Sequence, residues 1–256
     1  MIPKKIHYCW LSGDPYPPMI SKCMESWKTH LPNYELVLWD LNRFDLQKST
    51  WVKQAFEQKK YAFAADYIRL YALYHHGGIY LDTDVEVRKS FDPLLHLPYF
   101  FGTEGEGMIE AAVIGAEKGT TWLAQCLDHY RERHFIKENG DLDIQTLPRV
   151  MGKQINKKYG LSELNKVDLT SLNYEVNDQD LFMFPKDYFC AKDHGTGIVS
   201  PTDNTFSIHH FAMSWVSNKK TFLPNVKRKL ISLFGKNLIE SLIKNLRLRN
   251  LKNRFN

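Results

Sequence analysis

Residues 61–87, YAFAADYIRLYALYHHGGIYLDTDVEV, constrain this chain more than any other stretch. From Tyr61 to Tyr74 apolar residues cover every side of a helical projection, the pattern of a helix buried inside a core. Only Asp66 and Arg69 carry charge there, and their i, i+3 spacing puts them on one face about one turn apart. Gly77 and Gly78 supply the backbone freedom to stop a helix and turn. Ile79, Tyr80 and Leu81 then read as a short buried strand that runs into Asp82, Thr83 and Asp84. If the backbone stays extended, the two carboxylates point the same way. Paired carboxylates at a strand end make a hard, oxygen-rich site suited to Mg²⁺ or Mn²⁺ bound to a diphosphate.

Before this stretch, KIHYCW (5–10), YELVLW (34–39) and helical patterns over 20–31 and 46–59 alternate strand with helix, as in a parallel α/β sheet. The first strand leads into a loop containing Gly13 and three prolines, the kind of place where α/β sheets bind nucleotides. Trp10 and Gly13 are therefore candidates for base stacking and close backbone approach; a core tryptophan beside a turn glycine is the other reading.

After it, Val85–Val87, Tyr99–Gly102 and Ile109–Ile114 read as short strands. Glu104, Glu106 and Glu110 in and beside TEGEG are either sugar-hydroxyl ligands or a solvated acidic loop. Helices are expected over 120–134 and within 143–158, where Pro148 fits a first turn. Phe206–His210 reads as a last strand, and its His209 and His210 can complete a divalent site begun by Asp82 and Asp84 or serve the core.

With 256 residues, 43% hydrophobic and 25% charged, the chain can bury a full core. No apolar run is long enough to span a membrane. The first residues lack the apolar stretch of a signal peptide, so a cytoplasmic location is expected, with Cys9, Cys23, Cys126 and Cys190 as free thiols. Residues 216–256 hold eleven Lys or Arg against the single acid Glu240, although the whole chain is only +5. The body is acidic and the tail basic, which suggests an anionic partner for the tail. Within it Leu238, Ile239, Leu242, Ile243 and Leu246 form one helical face beside Lys236, Lys244, Arg247 and Arg249. Residues 225–254 can thus lie on an anionic membrane from its cytoplasmic face, or pack on protein. Nothing there has the signature of a nucleic-acid module. The division expected is a catalytic body, 1–217, and a helical tail, 218–256.

Three blocks, IPKKIHYCWLSG, AADYIRLYALYHHGGIYLDTDVEV and IHHFAMSW, resemble in order and spacing the DXD sugar transferases of glycosyltransferase family 32. The resemblance implies a GT-A fold, a Rossmann-like mixed sheet flanked by helices. It also implies a retaining transferase that takes a hexose from a nucleotide-diphosphate sugar, a UDP-sugar first, with Mn²⁺ or Mg²⁺. The acceptor it implies is a glycan or lipid-linked saccharide of surface or capsular polysaccharide synthesis. By that resemblance Trp10 belongs to the uridine pocket, Asp66 and Arg69 hold ribose and sugar hydroxyls, and Asp82 faces the sugar and reaches the metal through water. Asp84 is then the direct metal ligand, one of His209 and His210 the C-terminal ligand with His209 favoured, and Ser214 and Trp215 contact the leaving phosphate. Met213 departs from the family pattern, where glycine is common. Two other classes use some of these features: a haloacid-dehalogenase-type phosphatase with Asp82 as nucleophile, which Glu86 in place of Thr or Val disfavours, and a non-catalytic membrane-associated binding protein built around the tail.

Overall fold

A computed structural model describes residues 1–165, 167–174 and 179–212. These fall into a main unit, Met1–Ala191 with Pro201–His210, and a second comprising Lys192–Ser200 and the residues from Phe211 onward. In the second unit an antiparallel bridge between Lys192 and Val199 closes a turn around Asp193, whose carboxylate accepts from the Thr196 amide at 2.7 Å. The expected tail, with Ser214 and Trp215 before it, lies outside the described residues.

The main unit begins with strand β1 (Lys5–Cys9), helix α1 (Pro18–His30) and strand β2 (Glu35–Trp39), the alternation expected. A 3₁₀ turn at Leu46–Lys48 and helix α2 (Thr50–Glu57) replace the single helix expected over 46–59, because Ser49 stops the first and caps the second through the Val52 amide. Helix α3 (Tyr61–His76) follows, then β3 (Gly78–Leu81), β4 (Val85–Val87), β5 (Tyr99–Gly105) and β6 (Met108–Ala116). Next come α4 (Thr121–Asp128), α5 (Leu147–Ile155), β7 (Gly160–Glu163), β8 (Asp180–Met183), α6 (Lys186–Phe189) and β9 (Ser207–His209). Helix α4 ends at Asp128, six residues short of the reading to 134, and Pro148 does sit in the first turn of α5.

The central sheet has the order β2-β1-β3-β6-β5. Strands β1, β2 and β3 are parallel, whereas β6 runs antiparallel to both β3 and β5, so the sheet is mixed and not purely parallel. The carboxyl ends of the three parallel strands share one edge, which places Trp10, Asp40 and Asp82 there together. Helix α3 is buried on most sides, as its sequence required, with Phe63, Ala64, Ile68, Leu70, Ala72 and Leu73 in the core. It ends at Gly77, whose φ of +63° and whose approach to the Lys118 amide, 2.8 Å from where a Cβ would lie, admit no side chain.

Two small sheets complete the unit, β4 with β9 and β7 with β8. The expected last strand therefore pairs with β4, just after the DxD, and not with the strand leading into it; Val85 faces His209 in the register. Helix α1 satisfies the other edge of β4: the Trp27 indole donates to the Val85 carbonyl at 2.7 Å, and the Val87 amide donates to the Ser26 hydroxyl at 2.9 Å. Behind this edge Phe91, Phe100, Phe189 and Phe206 pack ring on ring. All four cysteines are buried thiols, none of them in a disulfide.

Candidate active site

The centre of the site is a guanidinium with two carboxylates. Asp66 and Arg69 lie on the face of α3 that meets the carboxyl end of β3, and Arg69 Nη2 is 3.1 Å from both Asp66 Oδ1 and Asp82 Oδ1. Arg69 Nη1 donates to the Ala111 carbonyl at 2.7 Å and to Asp82 Oδ2 at 3.3 Å, and its head lies 4.6 Å from the Tyr80 ring centre. The Tyr80 hydroxyl donates to Asp82 at 3.0 Å. Burial disfavours the charge on Arg69, but Asp82, Tyr80 and Asp66 together hold it protonated more firmly than an ordinary arginine. Burial pushes the Asp66 carboxyl up to about 7 against the pull of Arg69, because the one guanidinium is shared with Asp82. Asp82 is likewise raised by burial and by Asp84, against Arg69.

Strand β3 stops at Leu81, and Asp82 to Val85 form a turn closed by the Val85 amide on the Asp82 carbonyl at 3.0 Å. The two DxD carboxylates converge through that turn, not through the strand alternation that the sequence suggested. Asp84 meets His209, with Oδ1 3.5 Å from Nε2. The other ring nitrogen, Nδ1, lies 3.2 Å from Glu110 Oε2. One ligand atom each from Asp82, Asp84 and His209 lie within 4.8 Å of one another. Although burial opposes its charge, His209 is held well above the ordinary histidine range by Glu110 and Asp84. Two hard oxygens and an imidazole, already arranged around room for positive charge, fit Mn²⁺ or Mg²⁺.

Of the adjacent histidines only His209, the last residue of β9, joins this group. His210, offered by the sequence as a ligand alongside His209, turns instead to Glu86, with Nε2 2.9 Å from Oε2; its amide donates to the Asp84 carbonyl at 3.0 Å. Trp10 is half-buried at the end of β1, with its indole N–H on the Asp14 carbonyl at 2.7 Å and its ring 4.8 Å from that of Tyr16. Gly13 has a φ of +72° in an exposed loop. Asp82, fully engaged by Arg69 and Tyr80, is poorly placed to act as a phosphatase nucleophile.

Glu110, grouped by the sequence with an acidic loop, is a buried residue of β6; Glu106 is the exposed one, at the tip of the β5-β6 turn. The sequence signal that could have separated them is position: Glu110 is the one acid inside the apolar run 109–116. Tyr80 and Tyr16 were also missed, since a hydroxyl or ring that serves a site leaves no mark distinct from packing.

Residues 17–101 match the family model described as "Glycosyltransferase sugar-binding region containing DXD motif". Over this span the chain is similar to the sugar-binding region of the DXD glycosyltransferases. The matched span holds α3, Asp66, Arg69, Asp82 and Asp84, and so bears out the family resemblance on the central of the three sequence blocks. Over 128 residues the chain is 33% identical to "Inositol phosphoceramide mannosyltransferase 3" of Schizosaccharomyces pombe, covering 48% of this chain and 36% of that protein. Over 146 residues it is 30% identical to "Mannosyl phosphorylinositol ceramide synthase SUR1" of Saccharomyces cerevisiae, covering 53% and 37%. The chain thus spans little more than a third of the length of these relatives. Among solved structures "PaToxG Glycosyltransferase" superposes with a TM-score of 0.46 at 18% identity, over 61% of this chain and 68% of that one.

Proposed function

We propose that this protein is a metal-dependent hexosyltransferase that takes its sugar from a nucleotide-diphosphate donor, UDP-linked in the first instance. The observation that carries the reading is the convergence of Asp84 and His209 beside an Asp66–Arg69–Asp82 cluster, at the edge of the sheet where the family-matched region ends its DxD strand. When bound, Mn²⁺ or Mg²⁺ would neutralise charge developing on the β-phosphate as the nucleoside diphosphate leaves. Asp84 and His209 would hold it, with Asp82 at its margin. Arg69 would hold the Asp82 carboxylate in place, and Asp66 keeps that arginine in register. Trp10 and Tyr16, on the same sheet edge, offer rings to the base. Retention, which the family resemblance implies, would follow from attack on the donor's own face.

The acceptor we assign is a saccharide or lipid-linked saccharide of surface or capsular polysaccharide, reached from the cytoplasmic face, with residues 225–254 as the contact to an anionic membrane. What supports this is the tail's eleven basic residues against one acid, and relatives whose names specify ceramide-linked acceptors. No helix of the described residues is long and apolar enough to cross a membrane. The relatives' names also make mannose the hexose to try first beside glucose and galactose. The test is a panel of UDP- and GDP-hexoses assayed for hydrolysis with Mn²⁺, with Mg²⁺ and with chelator, the product anomer being read by NMR. Turnover of one donor that needs metal and keeps its anomeric configuration supports the reading. Metal-independent turnover, or an inverted product, overturns it.

A further inference from the structure

The edge where β5 pairs with β6 is irregular. Phe101 sits opposite Ile114 but the next residue, Gly102, sits opposite Glu110, so Ala111 to Val113 bulge out of the β5 ladder. A bulge frees backbone groups, and here each has a use. The Ala111 carbonyl accepts from Arg69, and the Ala112 carbonyl accepts from the Asp82 amide at 2.9 Å. The Ala112 amide donates back to Glu110 Oε1 at 2.6 Å, which pins one oxygen of that carboxylate. The other oxygen, Oε2, faces His209 Nδ1 at 3.2 Å, and the Glu110 side chain is only 1% exposed.

An ionised carboxylate has no proton to give, so Oε2 accepts a hydrogen bond from the Nδ1–H of His209 and leaves Nε2 directed at Asp84. We propose that Glu110 is a positioning residue of the cation site: it keeps the proton on His209 Nδ1 and fixes the ring orientation, so that when a cation displaces the Nε2 proton the Nε2 lone pair faces it beside Asp84. The proposal deepens the reading of this site as a metal-dependent transferase and rests on it for the identity of the cation, though not for the contact itself. Glu110 touches neither donor nor metal in this arrangement; it acts through the imidazole. Outer partners of this kind fix ligand geometry, and their loss typically weakens metal binding by about 10- to 100-fold.

The isosteric variant Glu110→Gln separates positioning from packing. Its amide has one oxygen for three donors, the Ala112 amide, His209 Nδ1 and the Cys190 thiol. If the oxygen stays with Ala112, the NH₂ group meets Nδ1 and favours the opposite tautomer, with the proton on Nε2 where the cation should bind. Mn²⁺ binding by the full chain, followed by electron paramagnetic resonance without any nucleotide, should weaken by about 10- to 100-fold in Glu110→Gln. In a His209→Ala background the same substitution should change Mn²⁺ affinity by less than about threefold, since its lever is gone. Nitrogen-15 NMR of the metal-free chain should show a hydrogen-bonded Nδ1–H on His209 that Glu110→Gln abolishes.

Equal losses in both backgrounds, or unchanged Mn²⁺ affinity in Glu110→Gln, would overturn the positioning role. If the parent chain binds no Mn²⁺ at all, the cation reading has failed. Glu110 is then judged by the NMR signal alone, and an Nδ1 proton untouched by the substitution refutes the contact.

Discussion

Two histidines flank β3, one near each end, and they are held in opposite ways. His7, 1% exposed, accepts the Trp39 indole N–H at Nδ1, 3.0 Å away, and its Nε2 donates to the Gly77 carbonyl at 2.8 Å. Both nitrogens are satisfied by neutral groups, and burial pushes the ring down to about 4. His209, past the other end, lies between Asp84 and Glu110 and is pushed up. Burial by itself drives an imidazole neutral, so a buried histidine that favours charge owes it to carboxylates placed around it. A carboxylate pair with no fixed cation of its own is costly to bury, unlike Asp66 and Asp82, which have Arg69. The first end of the strand holds its histidine neutral, and the second gathers carboxylates around one that favours charge.

The largest effect should come from removing the cation that the second end does own. Arg69→Ala leaves Asp66 and Asp82 facing each other in a buried site, a loss of roughly 3–5 kcal/mol in urea unfolding, with activity lost too. An Arg69→Ala chain as stable as its parent would mean that the carboxylates are solvated and the contrast between the two ends is false. Asp84→Ala should spare the fold but cut metal-dependent donor turnover by roughly three orders of magnitude, about 4 kcal/mol. Because it removes one of the two carboxylates beside His209, it should also make that end resemble the His7 end. Retained Mn²⁺-dependent hydrolysis in this variant would detach the DxD from the metal.

The His7 end gives the next effect, with a definite sign. Below the ordinary histidine range near 6.5, the unfolded chain takes up a proton that folded His7 refuses until about 4, so this group's contribution to stability falls as pH falls through that window. The loss reaches up to about 3 kcal/mol. Burial is the main source of the refusal, and a protonated Nδ1 would also point its N–H at the Trp39 N–H. His7→Phe should unfold more easily at pH 7 yet show a flatter decline from pH 7 to 4.5 than the parent. An unchanged slope would assign the acid sensitivity to other groups.

How far the sequence anticipated all this depends on the range of the interactions. Helix α3, the stop at Gly77 and the i, i+3 pair of Asp66 and Arg69 were legible because periodicity and turn chemistry are local. The antiparallel entry of β6 was not, since an apolar run such as IEAAVIGA says nothing of direction. The choice between His209 and His210 was open in the residues themselves; what brings His209, and not His210, near Asp84 and Glu110 is the Val85–His209 register of two strands more than 120 residues apart. Glu110 was misread for the same reason, since its role exists only where the β5-β6 bulge meets β9. Of Gly115, the sequence shows only a small residue in a strand. Its necessity comes from Phe100, whose ring would lie 2.2 Å from an added Cβ.

The smallest effect tests the sheet edge next to the cation site. Trp10 is half-buried, so truncating it should cost little stability, unlike the fully buried Trp27 or Trp51. Its ring is tied at one corner by the Asp14 carbonyl and backed by Tyr16, which orients an aromatic face at the carboxyl end of β1. Stacking of a base on such a ring contributes about 1–3 kcal/mol. Trp10→Ala should therefore weaken UDP binding about tenfold in a calorimetric titration with Mn²⁺ present, and leave inorganic diphosphate binding unchanged, because diphosphate reaches only the cation end. If both ligands weaken together, Trp10 acts by shaping the Gly13 loop and not by stacking. If neither does, the base lies elsewhere, and the edge formed by β1 and β3 serves the sugar and phosphates alone.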